Sequence, residues 1–387
     1  MGDVMEPVQL RAMDLIAEAE RLVGADGGAK WRFLDGLEVL VDALNEEARL
    51  SSAGAKIVRD GLVGSLVTQL RVRELVESDD RVSGVDIRRP LFVTCLPRMG
   101  STWLHNLLAG HSGLRAPLMW EVMAPYASAL GPTERMAAAD EATRSVREYL
   151  ELAPAMSILH AMDGGGVEEC HRLMAHTFRT RVLESRFHVP RYQKWLRTVD
   201  MRETYAYHQL LLRCILVREP RSRLVLKCVY HMWYLPILFA TYPDARVITL
   251  HRDPVAALNS MCEMTEAARR GRSDYLDRVE HGRYWREFYT EGTGLAVKQA
   301  DGADGVPAQS ILHVRYKDLV SDTQAVIERI CDFADLENSE KLLDSVRRNP
   351  LLASRAGGPP RPSLANYGID KSDFDSSVAD YRSRFQV

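Results

Sequence analysis

Apolar residues recur every three to four positions over the first eighty residues of the chain. This spacing predicts amphipathic helices within residues 8–22, 33–48 and 57–70. No alternating or continuous strand pattern interrupts them. We therefore expect residues 1–85 to form a helical N-terminal extension.

Beyond residue 90 the pattern changes to short, nearly continuous apolar runs separated by helical patterns. Such runs are typical of parallel strands buried on both faces, and the alternation favours crossover helices between them. Four strands are predicted within LFVT (91–94), RSRLVLKCV (221–229), ARVITLHRDP (245–254) and SILHVRYKDL (310–319). The fold class is therefore α/β, with a central parallel sheet flanked by helices in a main domain over residues 86–387.

Two stretches of the main domain do not follow the strand–helix alternation. Residues 110–200 are mostly helical but are interrupted by turn-rich segments, so we expect a helical insertion there. Residues 349–368 are rich in Pro, Gly, Ser and Arg and are expected to form a long surface loop. No internal repeat or low-complexity tract is present.

Composition narrows the classes of function. A net charge of −3 excludes a general polybasic surface, so we expect no nucleic-acid partner. Arginine greatly outnumbers lysine, 42 to 8, which suits anion recognition but is equally expected from a GC-rich genome. No apolar run approaches 18 residues, and the first ten residues lack a signal-peptide pattern, so we expect a cytoplasmic protein without a membrane span.

The six cysteines are scattered and form no C-x-x-C pair or Cys/His ligand spacing. We expect reduced, buried thiols and no metal site.

The most informative segment is LFVTCLPRMGSTWLHNL (91–107). A predicted strand is followed by a turn containing Arg98, Gly100, Ser101 and Thr102, and a helical pattern then begins near Trp103. Backbone N–H groups at a helix start favour anions, and the hydroxyls and guanidinium add donors. The turn is predicted to hold a phosphate or sulfate. It lacks the lysine of a Walker A loop and the glycines of a dinucleotide fingerprint, which disfavours a nucleoside-triphosphate kinase.

A second candidate is HRDPVAALNSM (251–261), directly after a predicted strand. Asp253 and Pro254 suit the first positions of a helix, so the segment could be simply a well-capped helix. Arg252 and Ser260 could also face one anion at the sheet edge where the 91–107 turn opens. A ligand with two separated anionic groups would use both places.

Together these motifs resemble the sulfotransferase family that uses 3′-phosphoadenosine 5′-phosphosulfate. The resemblance rests on P-R-x-G-S-T-W, on R-D-P followed by a serine, and on LKCVYH, YPDARVITLHRDP and VRYKDLV, over residues 90–320. It is greatest to the bacterial group with an N-terminal helical extension, and it implies a P-loop-like fold and sulfuryl transfer to a hydroxyl group. The alternatives are a nucleotide kinase or other phosphoryl-transfer enzyme, and an inactive nucleotide-binding protein.

The resemblance also implies roles for individual residues. Arg98, Gly100, Ser101, Thr102 and Trp103 would hold the 5′-phosphosulfate, Arg252 and Ser260 the 3′-phosphate, and Tyr316 would contact the nucleotide. No metal is implied. Some members of the family carry Lys where this chain has Arg98. A proline often occupies the position of Val229 in the bacterial group.

Sulfuryl transfer needs cations at the leaving group and a base for the acceptor proton. Arg98 and Lys227 are the candidate cations, although Lys227 could also be a surface residue at a strand end. Glu121 is the candidate base, since related branches use a Glu in this segment and its apolar neighbours should raise its pKa. Alternatively, it is an ordinary acid at a helix start. Other branches use histidine, and the candidates here are His105, His111, His171 and His231, of which His231 is the strongest rival.

The acceptor is expected to lie against residues 110–200 and the N-terminal helices. The segment Glu168–Glu169–Cys170–His171 could line this side. Several large apolar side chains would suit an apolar or lipid-like hydroxyl compound, although such residues commonly form plain core: Met119, Trp120, Met123, Met156, Met162, Met174 and Trp195. The sequence leaves a homo-oligomer open.

Overall fold

A computed structural model describes residues 9–24, 31–160, 162–337, 342 and 363–387. Within these ranges one parallel sheet is formed by four strands: β1 (Leu91–Thr94), β2 (Val225–Lys227), β3 (Arg246–His251) and β4 (Ile311–Arg315). Every strand lies inside a run that was predicted to contain one. The predicted α/β class with a central parallel sheet is therefore confirmed.

The strand order β2-β1-β3-β4 makes β1 an inner strand. All four of its residues are buried, as their continuous apolar pattern requires. The chain leaves β1 toward β2 on one side and returns across β1 to reach β3 on the other. In such sheets a crevice opens at the carboxyl ends of the strands where the order reverses. Here that point is the end of β1.

Helices surround the sheet. Three precede it: α1 (Ala12–Val23), α2 (Leu34–Glu46) and α3 (Ser52–Ser78). Those between β1 and β2 are α4 (Ser101–Ala109), α5 (Met119–Met123), α6 (Pro132–Leu152), α7 (Met156–Leu159), α8 (Cys170–Ala175), α9 (Val182–Arg186), α10 (Pro190–Leu196) and α11 (Arg202–Leu216). Those that follow are α12 (Leu235–Thr241), α13 (Pro254–Arg270), α14 (Arg278–Ala300), α15 (Tyr316–Ser321), α16 (Thr323–Ala334), α17 (Lys371–Ser377) and α18 (Ala379–Phe385). Short 3-10 turns occupy Pro125–Ala129, Val229–Tyr234, Ala303–Gly305, Ala308–Ser310 and Leu364–Tyr367.

The N-terminal helices share one hydrophobic core with the sheet. Ser51 caps α3 and its backbone N–H donates to the carbonyl of Arg272 at 3.0 Å, just beyond α13. A Cβ on Gly54 would lie 1.9 Å from the same carbonyl oxygen, so only glycine permits this approach. The first long helix is thus joined to α13 by direct backbone contact. A domain boundary at residue 85 stays a prediction.

Three further expectations concern the rest of the chain. All six cysteines are buried free thiols, as predicted. In the described ranges no helix has the length and apolar character needed to cross a bilayer. The loop predicted at 349–368 lies outside the described residues up to 362, and its last part forms the 3-10 turn at Leu364–Tyr367.

Candidate active site

The turn between β1 and α4 has an unusual backbone. Arg98 and Gly100 both adopt left-handed conformations, with φ of 64° and 97°. A Cβ on Gly100 would lie 2.6 Å from the ring of Tyr316, so the position requires glycine for both conformation and space. Helix α4 begins at Ser101, and its unpaired N–H groups and dipole favour an anion there. The turn and the start of α4 thus lie at the carboxyl edge of the sheet, where the sequence predicts an anion site.

Lys227 reaches this turn from the end of the neighbouring strand β2. The residue is only 3% exposed, and its Nζ lies 3.2 Å from Thr102 Oγ1. The same ammonium forms an ion pair with Glu169 Oε1. Lys227 is therefore a buried cation held beside the start of α4 and not a surface lysine.

The second predicted anion point adjoins the first. Arg98 Nε donates to Ser260 Oγ at 3.0 Å, and Arg252 Nη1 donates to the carbonyl of Arg98 at 3.3 Å. The Arg252 guanidinium stacks 4.6 Å from the centre of the Tyr316 ring. Asp253 caps α13 by accepting from the N–H of Val255. The capped helix and the grouping of Arg252 with Ser260 are therefore both present.

One large cavity, of about 2450 Å³, joins these groups to the N-terminal helices and the 110–200 insertion. Ten of the fourteen candidate residues line it: Arg98, Gly100, Ser101, Thr102, Trp103, His171, Lys227, Arg252, Ser260 and Tyr316. The other four, Glu121, His105, His111 and His231, lie outside its lining.

Glu121 is directed away from the cavity. Its Oε1 pairs with Arg115, and its Oε2 accepts from the N–H of Leu118 at 2.9 Å, where it caps α5. Burial raises the pKa of this carboxyl, as expected, although Arg115 opposes the shift. The alternative interpretation, an ordinary acid at a helix start, describes it better. We do not retain Glu121 as the base.

His231 is fully buried in the core behind the sheet edge. Its Nδ1 lies 2.7 Å from the hydroxyl of Tyr205, and burial holds its pKa well below the ordinary value. His105 and His111 also lie outside the cavity lining, each with Nε2 directed at a backbone carbonyl. Of the four candidate histidines only His171 lines the cavity.

His171 and Glu169 form a pair beside Lys227. Glu169 Oε2 lies 3.2 Å from His171 Nδ1, while its other oxygen contacts the lysine. Burial alone would raise the pKa of Glu169, but Lys227 and His171 outweigh it and hold that pKa well below the ordinary value. Burial lowers the pKa of His171, and Glu169 opposes the shift only in part. At neutral pH the pair is a carboxylate with a neutral imidazole, whose Nδ1–H is held by Glu169.

Some cavity residues escaped the sequence prediction. The segment 168–171 was expected near the acceptor, but its contact with Lys227 was not. His160 also lines the cavity, and burial lowers its pKa to about 4. Three arginines, Arg172, Arg186 and Arg272, line it as well. The sequence did not single out these three residues, because arginine is common throughout it.

The fold also assembles a Cys/His group that sequence spacing did not predict. In the part of the chain that is described, the ligand atoms of Cys170, His208 and His231 lie within 4.8 Å of one another and could hold a metal ion. Phenol hydroxyls of Tyr205 and Tyr242 contact the other nitrogen of each ring. The group is buried in the core and does not line the cavity, so it is not part of the candidate site.

Comparison with known proteins agrees with this geometry. Residues 90–340 match the profile of the Sulfotransferase family. The chain belongs to the sulfotransferase family. The matched span contains all the cavity residues from the anion turn to Tyr316. This protein is therefore a sulfotransferase.

Three mycobacterial sulfotransferases resemble this chain. The chain is 24% identical to the omega-hydroxy-beta-dihydromenaquinone-9 sulfotransferase Stf3 of Mycobacterium tuberculosis over 292 residues, which cover 74% of this chain and 71% of that protein. The crystal structure of sulfotransferase STF1 from M. tuberculosis H37Rv superposes with a TM-score of 0.80 at 26% identity, covering 96% of this chain and 99% of that one. Sulfotransferase STF9 from M. avium shares the fold, with a TM-score of 0.83 at 23% identity over 100% and 99% of the two chains.

Proposed function

We propose that this sulfotransferase transfers the sulfuryl group of 3′-phosphoadenosine 5′-phosphosulfate to a hydroxyl group of a small-molecule acceptor. The observation that carries the proposal is the arrangement around Arg98 and Lys227 in one cavity. Two anion points adjoin each other through Arg98, and a carboxylate–imidazole pair contacts Lys227.

The anion points fit a nucleotide with phosphate at both ends of its ribose. The start of α4, with Ser101 and Thr102, would hold the 5′-phosphosulfate. Arg252 and Ser260 would hold the 3′-phosphate, and Arg252 forms no ion pair with any described residue, so its charge is available. Tyr316 and Trp103 offer aromatic faces beside these groups. No metal ligand is needed by this arrangement.

Transfer forms a bond between the acceptor oxygen and sulfur while the bond from sulfur to the bridging phosphate oxygen breaks. Negative charge then accumulates on the leaving phosphate. Lys227 and Arg98 are the cations placed to stabilise it, together with the hydroxyl of Thr102 and the dipole of α4. Because these groups are already held by contacts with the protein, little reorganisation is required during the reaction.

The acceptor proton needs a base at the same place. We assign this role to His171, whose neutral ring faces the cavity and whose Nδ1–H is fixed by Glu169. Nε2 is then free to take the proton as the new bond forms, and Glu169 stabilises the resulting imidazolium. The products are the sulfated acceptor and adenosine 3′,5′-bisphosphate.

The walls of the cavity favour an acceptor with an apolar part. Of the seven apolar side chains expected near the acceptor, four line the cavity: Met119, Met123, Met156 and Met162. The other three do not. The mycobacterial relative Stf3 carries the name of an omega-hydroxy menaquinone sulfotransferase, which supports an acceptor of lipid-like character.

A thermal-shift experiment tests the donor assignment. Adenosine 3′,5′-bisphosphate should raise the melting temperature more than adenosine 5′-phosphate does, because only the former reaches both anion points. ATP should have a smaller effect still. Stabilisation by ATP without stabilisation by the bisphosphate would contradict the proposal.

A further inference from the structure

Three arginines gather on the His171 side of the cavity. Arg172 comes from α8, Arg186 ends α9, and Arg272 follows α13, so three separate elements supply them. All three line the cavity. We refer to Arg172, Arg186 and Arg272 as the arginine cluster.

The charges of the cluster are only partly balanced. Arg172 Nε lies 3.0 Å from Glu168 Oε2, which neutralises one cation. Arg272 donates to the carbonyl of Ala268 at 2.7 Å and stacks 4.4 Å from the centre of the Tyr149 ring, contacts that leave its charge uncompensated. The side chain of Arg186 makes no hydrogen bond or ion pair with any residue that the structure describes. Three guanidinium groups therefore share one carboxylate.

This imbalance costs folding free energy. Burial and repulsion by Arg172 and Arg272 lower the pKa of Arg186 to about 9. Arg186 is partly buried, and a cation that is partly removed from water without a partner is destabilising. The acids of α6 that line the cavity, such as Glu141 and Glu148, are exposed at its rim and form no ion pair with the cluster. A ligand with negative charge would supply the missing partner.

The cluster lies beside the proposed transfer point. The charge of Arg186 acts on His171, His171 contacts Glu169, and Glu169 contacts Lys227. The phosphates of the donor already have their own sites at α4 and at Arg252 with Ser260. An anion at the cluster would therefore belong to the other substrate.

We propose that the arginine cluster binds an anionic group of the acceptor, with Arg186 as its principal contact. This inference rests on the proposed sulfuryl transfer. The acceptor is then a hydroxyl compound that carries an apolar part and a carboxylate, phosphate or sulfate. Recognition of that charge would place its hydroxyl against His171 and select against neutral alcohols.

The test uses carboxylate and alcohol pairs of equal length. The probes are 8-hydroxyoctanoate and 12-hydroxydodecanoate, each compared with the diol of the same chain length. Binding to the protein saturated with adenosine 3′,5′-bisphosphate is measured by calorimetry for wild type, Arg186→Met and Arg71→Met. Arg71 is an exposed arginine on another part of the cavity wall, so it controls for loss of one charge.

We expect at least one carboxylate to bind wild type about 10–100-fold more tightly than its diol, as charge-assisted hydrogen bonds do. Arg186→Met should abolish this preference, and Arg71→Met should keep it. Equal affinities for acid and diol in wild type, or an unchanged preference in Arg186→Met, would overturn the proposal. A merely structural Arg186 would lower the melting temperature of the ligand-free protein on substitution, whereas we expect no loss or a gain.

Two further results would distinguish this proposal from related ones. If sodium sulfate stabilises wild type through Arg186 while no carboxylate probe binds, the cluster holds a free anion and the acceptor assignment is wrong. If adenosine 3′,5′-bisphosphate does not bind, the proposed function fails. The acid and diol comparison without nucleotide then still decides whether Arg186 recognises an anion.

Discussion

The proposed donor and acceptor sides of the cavity are built in different ways. On the donor side, the anion turn and the 251–261 segment each hold several site residues within about ten positions. On the acceptor side, His171 lies in α8, Arg186 ends α9 and Arg272 follows α13, so these residues span about one hundred positions of the sequence. The donor side consists of two places at which a strand ends and a helix begins. The acceptor side depends on how an inserted group of helices packs, so it can change without disturbing the donor.

Lys227 lies between the two sides, so its substitution should reduce activity more than any other. Lys227→Met removes the buried ammonium beside the leaving group and should lower kcat about 10³-fold, as loss of a preorganised charge contact does. The release of adenosine 3′,5′-bisphosphate measures turnover. Lys56→Met, an exposed lysine paired with Asp60, is the control and should keep full activity. A kcat within threefold of wild type in Lys227→Met would remove this residue from the mechanism.

His171 tests the acceptor side alone. His171→Asn should lower kcat about 10²–10⁴-fold while leaving affinity for adenosine 3′,5′-bisphosphate unchanged, because only proton removal is lost. Glu121→Gln is the matched comparison and should retain turnover, since Glu121 lies outside the cavity lining. If the two variants exchange these results, Glu121 is the base after all.

The dependence of kcat/KM on pH also tests His171 as the base. A neutral His171 is required, and its pKa lies below the ordinary value, so kcat/KM should stay level from neutral pH to below pH ~6.5 and then fall. Glu169 raises the pKa of His171, so Glu169→Gln should reduce activity and move this acid limb to lower pH. A limb that does not move would show that another group titrates.

Arg252 tests the donor side. Arg252→Met should weaken binding of adenosine 3′,5′-bisphosphate about 10–100-fold through loss of a charge-assisted contact. Affinity for adenosine 5′-phosphate, which lacks the 3′ group, should hardly change. Calorimetry with both nucleotides measures this difference, and an equal loss for both would place Arg252 elsewhere on the nucleotide.

Substitution of Gly100 should have the smallest effect, which is a loss of folding stability. Gly100→Ala meets a left-handed backbone and the Tyr316 ring, and should lower the free energy of unfolding by about 1–3 kcal/mol. Gly64→Ala in α3 has no neighbour within 4 Å of the added Cβ and should instead stabilise by ~0.4–1 kcal/mol. Urea denaturation measures both changes.

The same contrast explains what the sequence could predict. The strands were found because continuous apolar runs are required of buried parallel strands, and the anion turn because its donors are contiguous. The proposed base differs from the one predicted from the sequence because a residue's distance along the chain from Arg98 does not specify where its side chain points. Glu121 faces Arg115, whereas Glu169, 58 residues before Lys227, becomes its partner only through packing.

The backbone contact between Ser51 and Arg272 also has a consequence for how the chain folds. These residues are 221 positions apart, so the bond closes a very long loop, and contacts of this kind form late. The N-terminal helices leave the ribosome before Arg272, so this contact can form only late in synthesis. We therefore expect the closing of α3 against the end of α13, which completes one wall of the cavity, to be among the last steps of folding.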